Sequence, residues 1–458
     1  MTKISNSMQI VENARSAPLR RARVLALESF ELALDVVDPF KLVKSKVFMD
    51  GSFLHVNGHL DDLRCFKNVY VIGGGKAGAP MVSAVEEILS DRITAGIVNV
   101  PYGNKVATHF VELNEASHPL PDEGGIKGTL RMSELAEQAG KDDLVICLLS
   151  GGGSSLMPLP RSDISLDSKR QITNGLLKCG ATIKEINAVR KHLSAFKGGW
   201  LARKCYPATV LTLILSDVVG DALDSIASGP TVPDPTTFFD AHKVLEKYGL
   251  WENAPVSIRN LLFDGEKGAI EETPKKGDEA FERVSNIILG NNRCASIAIC
   301  EYLKSKSLNT VLLTSALEGE AKHVGIVLSS IAKEVLESGN PVSKPAAIIA
   351  GGETTVTVGG EGLGGRNQEL ALSVALRIRG SHAITFSSFS TDGVDGPTNA
   401  AGAIVDGETI QQAEKLGIDP ETYLARNDSN TFFSKIGGLI ITGNTGTNVN
   451  DISLLIIS

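Results

Sequence analysis

Residues 68–89 read NVYVIGGGKAGAPMVSAVEEIL, and this stretch decides the fold class. A β-branched run from Asn68 to Ile72 ends in three glycines, and a helical pattern follows from Ala79 to Leu89. Further strand-like apolar runs are Ile93 to Val100, Asp143 to Leu149 and Thr209 to Leu215. Because continuous apolar strands alternate with helices, the pattern predicts an α/β fold with a parallel sheet that is covered on both faces.

The chain is predicted to hold two domains. A polar segment from Phe263 to Asp278 interrupts the α/β pattern and has the composition of a linker. Strand-like and helical runs resume at Asn286, and one of the expected later strands is Thr354 to Val358. We therefore expect two α/β domains, over residues 1–285 and 286–458, which fits 458 residues at ~100–200 residues per domain.

Composition argues against several classes of protein. The formal net charge is −8 and no basic stripe occurs, so nucleic acid is not an expected partner. No run approaches the ~18 apolar residues of a membrane span, so a membrane is not expected either. The six cysteines are scattered without a CxxC pair, as in reduced cytoplasmic proteins, and Asn57-Gly58 between His55 and His59 favours a turn over a zinc site. Leu19 to Val37 has the spacing of an amphipathic helix rather than of a transit peptide.

The excess glycine clusters where predicted strands end. Of the 458 residues 46 are glycine, above the usual ~7%, and ligands of open α/β sheets bind at this edge. The first cluster holds Gly74, Gly75 and Lys76 and matches GxGxxG, but the next strand ends at Val100 without the acid of a dinucleotide site. An ammonium with glycine N–H groups therefore suits a phosphate or a carboxylate, and a structural tight turn is the alternative.

The second cluster follows the strand that ends at Leu149. It consists of Ser150, Gly151, Gly152, Gly153, Ser154 and Ser155. Three glycines let a ligand approach the backbone closely, and the flanking hydroxyls can bind phosphate oxygens. We expect a phosphate-binding loop here, with a plain flexible turn as the alternative.

Charged side chains further along the chain can each be interpreted either as part of a binding site or as a structural feature. Arg190 and Lys191 belong to a polar stripe at helical spacing, which is either a solvated helix face or a set of cations presented to an anion. Asp217 follows an apolar strand, where a carboxylate suits Mg²⁺ or caps the next turn. Asp392 lies in a later glycine turn and suits Mg²⁺ or a hydroxyl about as well as an ordinary Asx turn.

The densest glycine segment, residues 351–365, precedes a predicted helix from Glu369 to Arg377. A hairpin-like excursion is expected to deliver Arg366 and Asn367 to the start of that helix. An arginine in a glycine loop is typical of an anion clamp, unless it pairs with a nearby acid such as Glu361.

Taken together, these features favour phosphoryl transfer. The glycine loops carry cations, the strand ends carry carboxylates, and no Cys–His or Ser–His nucleophilic pair is evident. Phosphoryl transfer needs little beyond positioned cations, Mg²⁺ and in-line geometry. The residues alone therefore predict a kinase that acts on a small polar acceptor.

Seven motifs resemble, in order, those of the glycerate 2-kinase (MOFRL) family, also called class II glycerate kinases, some of which have carried the name hydroxypyruvate reductase. They are VIGGGKAGAPM, LLSGGGSSL, INAVRKHLSAFKGG, LSDVVGDALDSIASGPTVPDPTTF, GGETTVTV, GGRNQELAL and STDGVDGPTNAAGA. The resemblance implies a larger N-terminal Rossmann-like domain and a smaller C-terminal α/β MOFRL domain, with the active site in the cleft between them. It also implies ATP-dependent phosphorylation of the C2 hydroxyl of D-glycerate, with Mg²⁺, to give 2-phosphoglycerate and ADP.

The family's proposed catalytic residues correspond to Lys76 and Arg366. The other expected contacts are ATP phosphates at Gly74, Gly75 and Ser150–Ser155, Mg²⁺ at Asp217 or Asp392, and D-glycerate at Arg190, Lys191 and Asn367. A monomer or a homodimer is expected. An NAD(P)-dependent hydroxypyruvate reductase is the alternative enzyme, prompted by the first glycine cluster, and a non-catalytic metabolite-binding protein is the alternative of another class.

Overall fold

The computed structural model describes residues 3–458, which form α-helices and three β-sheets. In chain order the strands are β1 Val47–Asp50, β2 Phe53–Val56, β3 His59–Asp62, β4 Val69–Gly74, β5 Ala95–Pro101, β6 Val111–Ala116, β7 Leu144–Leu149, β8 Thr209–Leu215, β9 Val284–Gly290, β10 Asn309–Leu317, β11 Ala346–Gly352, β12 Ile384–Ser390, β13 Gly402–Asp406, β14 Leu439–Ile440 and β15 Asp451–Ile457. The α-helices are α1 Ser7–Glu12, α2 Ala17–Val36, α3 Pro39–Lys46, α4 Gly78–Leu89, α5 Glu123–Gln138, α6 Gly153–Leu156, α7 Leu166–Lys178, α8 Ile183–His192, α9 Trp200–Cys205, α10 Phe238–Lys247, α11 Val256–Glu266, α12 Asn292–Ser305, α13 Ala321–Ser338, α14 Arg366–Ile378, α15 Thr409–Lys415, α16 Pro420–Ala425 and α17 Ser429–Ile436.

The chain forms two compact units. The continuous unit is Pro39–Leu289, and the discontinuous unit joins the residues up to Asp38 to Gly290–Ser458. The continuous unit therefore starts later than the predicted domain over residues 1–285, and the described residues up to Asp38 group with the C-terminal part of the chain. The amphipathic helix predicted there is α2, which packs against α12 and β12 of the discontinuous unit. A buried ion pair between Arg23 and Asp406, 2.6 Å long, joins positions 383 residues apart, a contact that no local pattern shows.

The continuous unit contains the predicted parallel sheet. Its strand order is β6-β5-β4-β7-β8-β9, and the pairs β4/β5, β4/β7, β5/β6 and β7/β8 are parallel. β7 lies in the middle of the sheet and is buried at every position because both faces of the sheet are covered there, which explains its uninterrupted apolar sequence. The run from Asn286, which was expected to open the second domain, is instead β9 at the edge of this sheet.

The discontinuous unit contains a mixed sheet. Its strand order is β10-β11-β15-β12-β13-β14, with β10/β11 parallel and the remaining pairs antiparallel. α14 packs against β12 and β13, and most of its residues are buried. The strand predicted over Thr354 to Val358 is absent from the described structure apart from one isolated bridge between Thr355 and Glu320. Thr354 is buried and Val356 packs partly against the core, but Val358 is 71% exposed, so the alternation of buried and exposed residues stops before the predicted strand ends.

The polar segment predicted as a linker lies inside the continuous unit. His192 Nε2 and Glu272 Oε1 are 2.7 Å apart, and Thr273 Oγ1 donates to Asp234 at 3.1 Å. Its polar side chains make internal contacts, so the prediction of a linker is wrong. By contrast, the turn expected at Asn57-Gly58 is confirmed, since these residues connect β2 and β3 with positive φ angles.

The cysteines are only partly core residues. Cys147, Cys205 and Cys300 are buried, Cys65 and Cys179 are exposed, and all of them are unpaired. None of the helices formed by residues 3–458 is long and apolar enough to cross a membrane.

Candidate active site

The first two glycine loops form one continuous surface at the carboxyl ends of β4 and β7. The strands pair in parallel with Gly74 opposite Leu149. Beyond them, the Lys76 N–H donates to the carbonyl oxygen of Gly151 at 2.8 Å, and the Ala77 N–H donates to Ser150 Oγ at 3.0 Å. The loops therefore hold each other in place, which argues against two independent flexible turns.

Gly75 permits this close approach. Its φ is +158°, and a Cβ there would lie 2.0 Å from Ser150 Oγ. Gly152 is also near the first loop, because a Cβ there would be 3.3 Å from Lys76 Cγ, and it would lie 2.9 Å from the His118 ring. The half-buried Lys76 side chain thus passes directly over the second loop.

Backbone N–H groups of the second loop are available to a ligand. Within residues 3–458 the N–H groups of Gly151 and Gly152 donate to no other group. Ser155 Oγ donates to the Gly152 carbonyl at 3.2 Å, so this hydroxyl fixes the loop. Two unpaired amides beside a lysine are suited to a phosphate oxygen.

Ser154 connects the loop to a buried polar network. Its hydroxyl lies 2.7 Å from Ser228 Oγ, which donates to Asn187 Oδ1 at 3.0 Å. Ser228 and Asn187 are buried, so part of the polar stripe on α8 faces the interior. The solvated-face interpretation of that stripe is wrong for Asn187.

A pocket of about 340 Å³ opens beside this loop. It is lined by Gly152, Ser154 and Ser155, by residues 118–121 and α7, and by a group of four cations, namely Lys169, Arg170, Arg190 and Lys197. No Asp or Glu is among the described residues that line it. The excess of positive charge makes the pocket suitable for an anion.

Arg190 is the cation of this pocket without a protein partner. Within the described part of the chain its guanidinium makes neither a hydrogen bond nor an ion pair. Burial lowers the pKa of Arg190. A desolvated guanidinium without a carboxylate is poised to bind an anion in two-pronged geometry.

Lys169 and Lys197 lie deeper, at 4% and 1% exposure. Lys169 Nζ donates to the Pro158 carbonyl at 2.9 Å, and Lys197 Nζ donates to the Met157 carbonyl. Burial, helped by the charge of Arg190, lowers the pKa of Lys169 to about 7, and burial also lowers the pKa of Lys197 well below its usual value. These two lysines hold the backbone just after α6.

Lys191 lies outside this pocket, although it is the neighbour of Arg190 in sequence. It is 2% exposed, and its Nζ lies 3.3 Å from Asp234 and 3.2 Å from Asp224. An ammonium held between two carboxylates within the unit is already neutralised. The predicted contact between Lys191 and substrate is therefore not supported.

Arg366 is the first residue of α14 in the discontinuous unit. Its Nε and Nη2 donate to the two carboxylate oxygens of Asp451 at 2.5 and 2.9 Å, and its Nη1 lies 3.5 Å from Glu353. Burial alone would lower the pKa of Arg366, but the Asp451 carboxylate outweighs burial and raises it. Arg366 thus pairs with an acid, as in the alternative interpretation, but the acid is Asp451 in a fork-shaped pair and not Glu361.

Asn367 is used inside the same unit. At 1% exposure, it donates to Asp395 Oδ1 at 3.2 Å and accepts from Ser388 Oγ at 2.5 Å. Asp395 also accepts from the backbone N–H groups of Asn367 and Gln368, which caps the start of α14. This burial argues against the predicted direct contact between Asn367 and substrate.

The two carboxylates predicted to bind Mg²⁺, Asp217 and Asp392, have different surroundings. Asp217 follows β8, whose end lies at the same sheet edge as the second glycine loop because Leu149 pairs with Ile214 in parallel. Asp392 Oδ1 accepts from Ser390 Oγ at 2.9 Å and from the Val394 N–H at 3.0 Å, which is the Asx turn foreseen as the alternative. Among residues 3–458 no three His, Cys, Asp or Glu side chains gather as a ready metal site.

Comparison with known proteins identifies the family. A domain of unknown function (DUF4147) matches residues 25–263, and the MOFRL family matches residues 346–451. The chain is 46% identical to the D-glycerate 2-kinase of Thermotoga maritima over 84% of this chain and 89% of the relative, and 42% identical to the glycerate 2-kinase of Pyrococcus horikoshii over 95% and 97%. The chain belongs to the glycerate 2-kinase family. A crystal structure of a Thermotoga maritima glycerate kinase superimposes with a TM-score of 0.83, covering 95% of this chain and 99% of that chain at 42% identity.

The glycerate 2-kinase motifs contain most, but not all, of the residues gathered here. Lys169 and Asp451 were missed by the sequence analysis. Lys169 lies on α7, where a lysine on a helix is expected in solvent. Asp451 begins β15, which runs antiparallel to β11 and so places its first residue at the end of β11, opposite Gly352. The residues that follow strands do not include Asp451, because it begins its strand. A prediction that β15 runs antiparallel to β11 would have placed Asp451 at the same sheet edge.

Proposed function

We propose that this chain is an ATP-dependent glycerate 2-kinase that transfers the γ-phosphoryl group to the C2 hydroxyl of D-glycerate, giving 2-phosphoglycerate and ADP. The observation that carries the proposal is the joined pair of glycine loops, which sets Lys76 and two unpaired amides beside a carboxylate-free cationic pocket. Membership of a family whose relatives are named glycerate 2-kinase supports the same reaction.

ATP phosphates are assigned to the surface formed by Gly74, Gly75 and the Ser150–Ser155 loop. The Gly151 and Gly152 amides would donate to phosphate oxygens, while Ser150 and Ser155 keep the loop in shape. Mg²⁺ typically takes one or two carboxylates together with phosphate oxygens, so a single strand-end carboxylate fits it. Asp217 is the preferred ligand because it shares the sheet edge of this loop, and Asp392 is the second candidate.

Lys76 and Arg366 are assigned to the transferred phosphoryl group. As the C2 oxygen bonds to phosphorus and the bond to ADP breaks, negative charge spreads over the phosphoryl oxygens, and the hydroxyl proton is lost to solvent or a base. Positioned cations stabilise that charge without reorganisation. The paired Asp451 restricts the Arg366 side chain to one orientation and leaves other guanidinium N–H groups for this task.

Arg190 is assigned to the carboxylate of D-glycerate. It lines the pocket and has no partner within the described residues, whereas Lys191 is held by Asp224 and Asp234. A bidentate contact with the carboxylate would fix which hydroxyl faces the phosphoryl donor.

The experiment is an assay with Mg-ATP and a panel of small hydroxy acids, followed by enolase. Enolase consumes 2-phosphoglycerate directly but needs a mutase to consume the 3-isomer, so the coupled signal identifies the phosphorylated hydroxyl. We expect turnover with D-glycerate and an immediate enolase signal. NADH oxidation with hydroxypyruvate in the absence of ATP would instead indicate the reductase, and binding of glycerate without turnover would indicate a binding protein.

Replacement of Lys76 or Arg366 by alanine tests the assigned roles one by one. Each variant is expected to lose most of kcat while retaining a folded thermal transition. Arg379, an exposed residue that pairs with Glu414, serves as the matched control, and Arg379→Ala should keep wild-type kcat. A variant of Lys76 or Arg366 with near-wild-type kcat would remove that residue from the mechanism.

A further inference from the structure

The charge of the cationic pocket exceeds what a singly charged acid can balance. Lys169 and Lys197 line the pocket together with Arg190, and the nitrogen of each lysine bonds to a backbone carbonyl rather than to a carboxylate. Both lysines are more than nine-tenths buried. A monocarboxylate bound at Arg190 would leave these two cations without a counter-charge.

The groups around Lys169 reinforce this imbalance. Arg190 faces it from α8 and Lys197 faces it from the segment after α8, while Arg170 is the next residue on its own helix and His118 lines the same pocket. Arg170 pairs with Asp167 at 3.0 Å, but Asp167 is exposed and does not line the pocket. Every charged group that lines the pocket is therefore basic.

Without a bound anion, this pocket favours the neutral, deprotonated form of its buried lysines. A buried ammonium without a counter-ion is costly, and lysine responds by becoming neutral. An anion placed next to it reverses the balance, because opposite charges within ~4–6 Å favour the charged form. An anion with two or more charges can hold several of these groups charged at once, whereas an anion with one charge cannot.

We infer that Lys169 and Lys197 make this pocket selective for acids that carry two or more negative charges, and that Lys169 takes up a proton from solvent when such an acid binds. The inference rests on the proposed function, because a phosphorylated three-carbon acid is then the multiply charged acid that the enzyme makes. 2-Phosphoglycerate binds more tightly than glycerate and competes with it. The pocket has the space, since about 340 Å³ corresponds to roughly eleven water-sized groups of ~30 Å³ each.

Isothermal titration of the full chain without nucleotide tests this inference. The probes are D-glycerate, 2-phosphoglycerate, inorganic phosphate and ADP, each at pH 8 in two buffers with different ionisation enthalpies. At pH 8 the phosphoryl group has already lost its second proton, whose pKa is ~6, so proton uptake reports on the protein. We expect 2-phosphoglycerate to bind at least tenfold more tightly than glycerate and with net proton uptake. The uptake should fall at pH 6, because Lys169 is already charged below a pKa of about 7.

Variants of the lysines distinguish the effect of their charge from an effect on the structure of the pocket. Lys169→Gln can still donate to the Pro158 carbonyl but is never charged, so the affinity ratio should fall below about threefold and the proton uptake should disappear. Lys197→Met should lower the ratio similarly. Lys178→Met alters an exposed lysine on the same helix and should leave both quantities unchanged. Should a variant fail to fold, the wild-type ratio and proton uptake decide alone.

Two results would overturn the inference. One is equal affinity for glycerate and 2-phosphoglycerate in the wild type. The other is proton uptake that accompanies ADP rather than 2-phosphoglycerate and is lost in Lys169→Gln, since the pocket would then belong to the nucleotide. A failure of the proposed function shows separately, as absence of phosphorylated product in the enolase assay.

Discussion

The backbone N–H of Lys76 donates to the carbonyl oxygen of Gly151 at 2.8 Å, so the position of the lysine depends on the loop that follows a different strand. A second bond, from the Ala77 N–H to Ser150 Oγ, fixes the same contact. The lysine and the amides proposed to bind phosphate are therefore one rigid group, because each loop is held by the other.

Gly75→Ala is expected to push these loops apart. A Cβ at this position would lie 2.0 Å from Ser150 Oγ, in a backbone conformation with φ of +158°. Overpacking of this kind destabilises by about 1–3 kcal/mol, and a displacement of about 1 Å lowers kcat about 100-fold. Urea unfolding and the enolase-coupled assay measure the two effects. Gly359→Ala is the control, because a Cβ there meets nothing within 4 Å; equal losses in both variants would contradict the argument.

Four of the six strands in the sheet of the continuous unit, β4, β5, β7 and β8, could be predicted because each is a continuous apolar run, whereas β6 was not predicted and β9 was assigned to the second domain. The run from Thr209 to Leu215 is β8, with the same bounds, and β4 and β7 differ from expectation only at their ends. Buried parallel strands need uninterrupted apolar residues, and glycine must follow where two loops touch. The same two requirements located Lys76 and the Ser150–Ser155 loop.

The parts that could not be predicted depend on contacts between residues that are distant in sequence. α2 belongs to the discontinuous unit through contacts such as Arg23 with Asp406, which leave no local trace. The polar segment around Glu272 has the composition of a linker and yet supplies partners to His192 and Asp234. Lys169 has the sequence context of a surface lysine, and only the packing of α7 buries it.

Neighbouring cations on α8 should respond in opposite ways to substitution. Arg190→Gln removes a guanidinium without a protein partner, so stability should hold or rise while KM for glycerate increases about 10- to 100-fold, as for a lost charged hydrogen bond of ~1.5–3 kcal/mol. Lys191→Met leaves the buried Asp234 carboxylate without its ammonium partner, so the unfolding free energy should fall by about 3–5 kcal/mol while KM changes little. Steady-state kinetics measure KM and urea unfolding measures the stability of both variants. An unchanged KM in Arg190→Gln would refute the assignment of Arg190 to the glycerate carboxylate.

Asp451→Asn should lower both stability and kcat. The change keeps the shape of the side chain but removes the charge that Arg366 faces at 2.5 and 2.9 Å. An incompletely paired guanidinium lowers the unfolding free energy by about 3 kcal/mol, and a less restricted Arg366 should lower kcat at least tenfold. Glu414→Gln breaks the exposed pair with Arg379 and should change stability by less than about 1 kcal/mol. Unchanged kcat in Asp451→Asn would show that the pair has no part in orienting Arg366.

The contact between His192 and Glu272 should make stability depend on pH in the acid range. Burial alone would raise the pKa of Glu272, but the hydrogen bond with His192 and those from the Phe238 and Thr273 N–H groups outweigh it and lower the pKa from 4.5 to about 2. Since the folded-state pKa lies below the unfolded one, the stabilisation is complete above about pH 4.5 and is lost as the pH falls toward 2. Its size is about 1–2 kcal/mol after allowance for solvent screening, because the carboxylate is 32% exposed. Urea unfolding of Glu272→Gln and wild type at pH 7, 4 and 2.5 should therefore show a difference that shrinks with acid, while Glu421→Gln, an exposed carboxylate, should match wild type throughout. A difference that grew with acid would reverse the sign of this linkage and remove the contact as its cause.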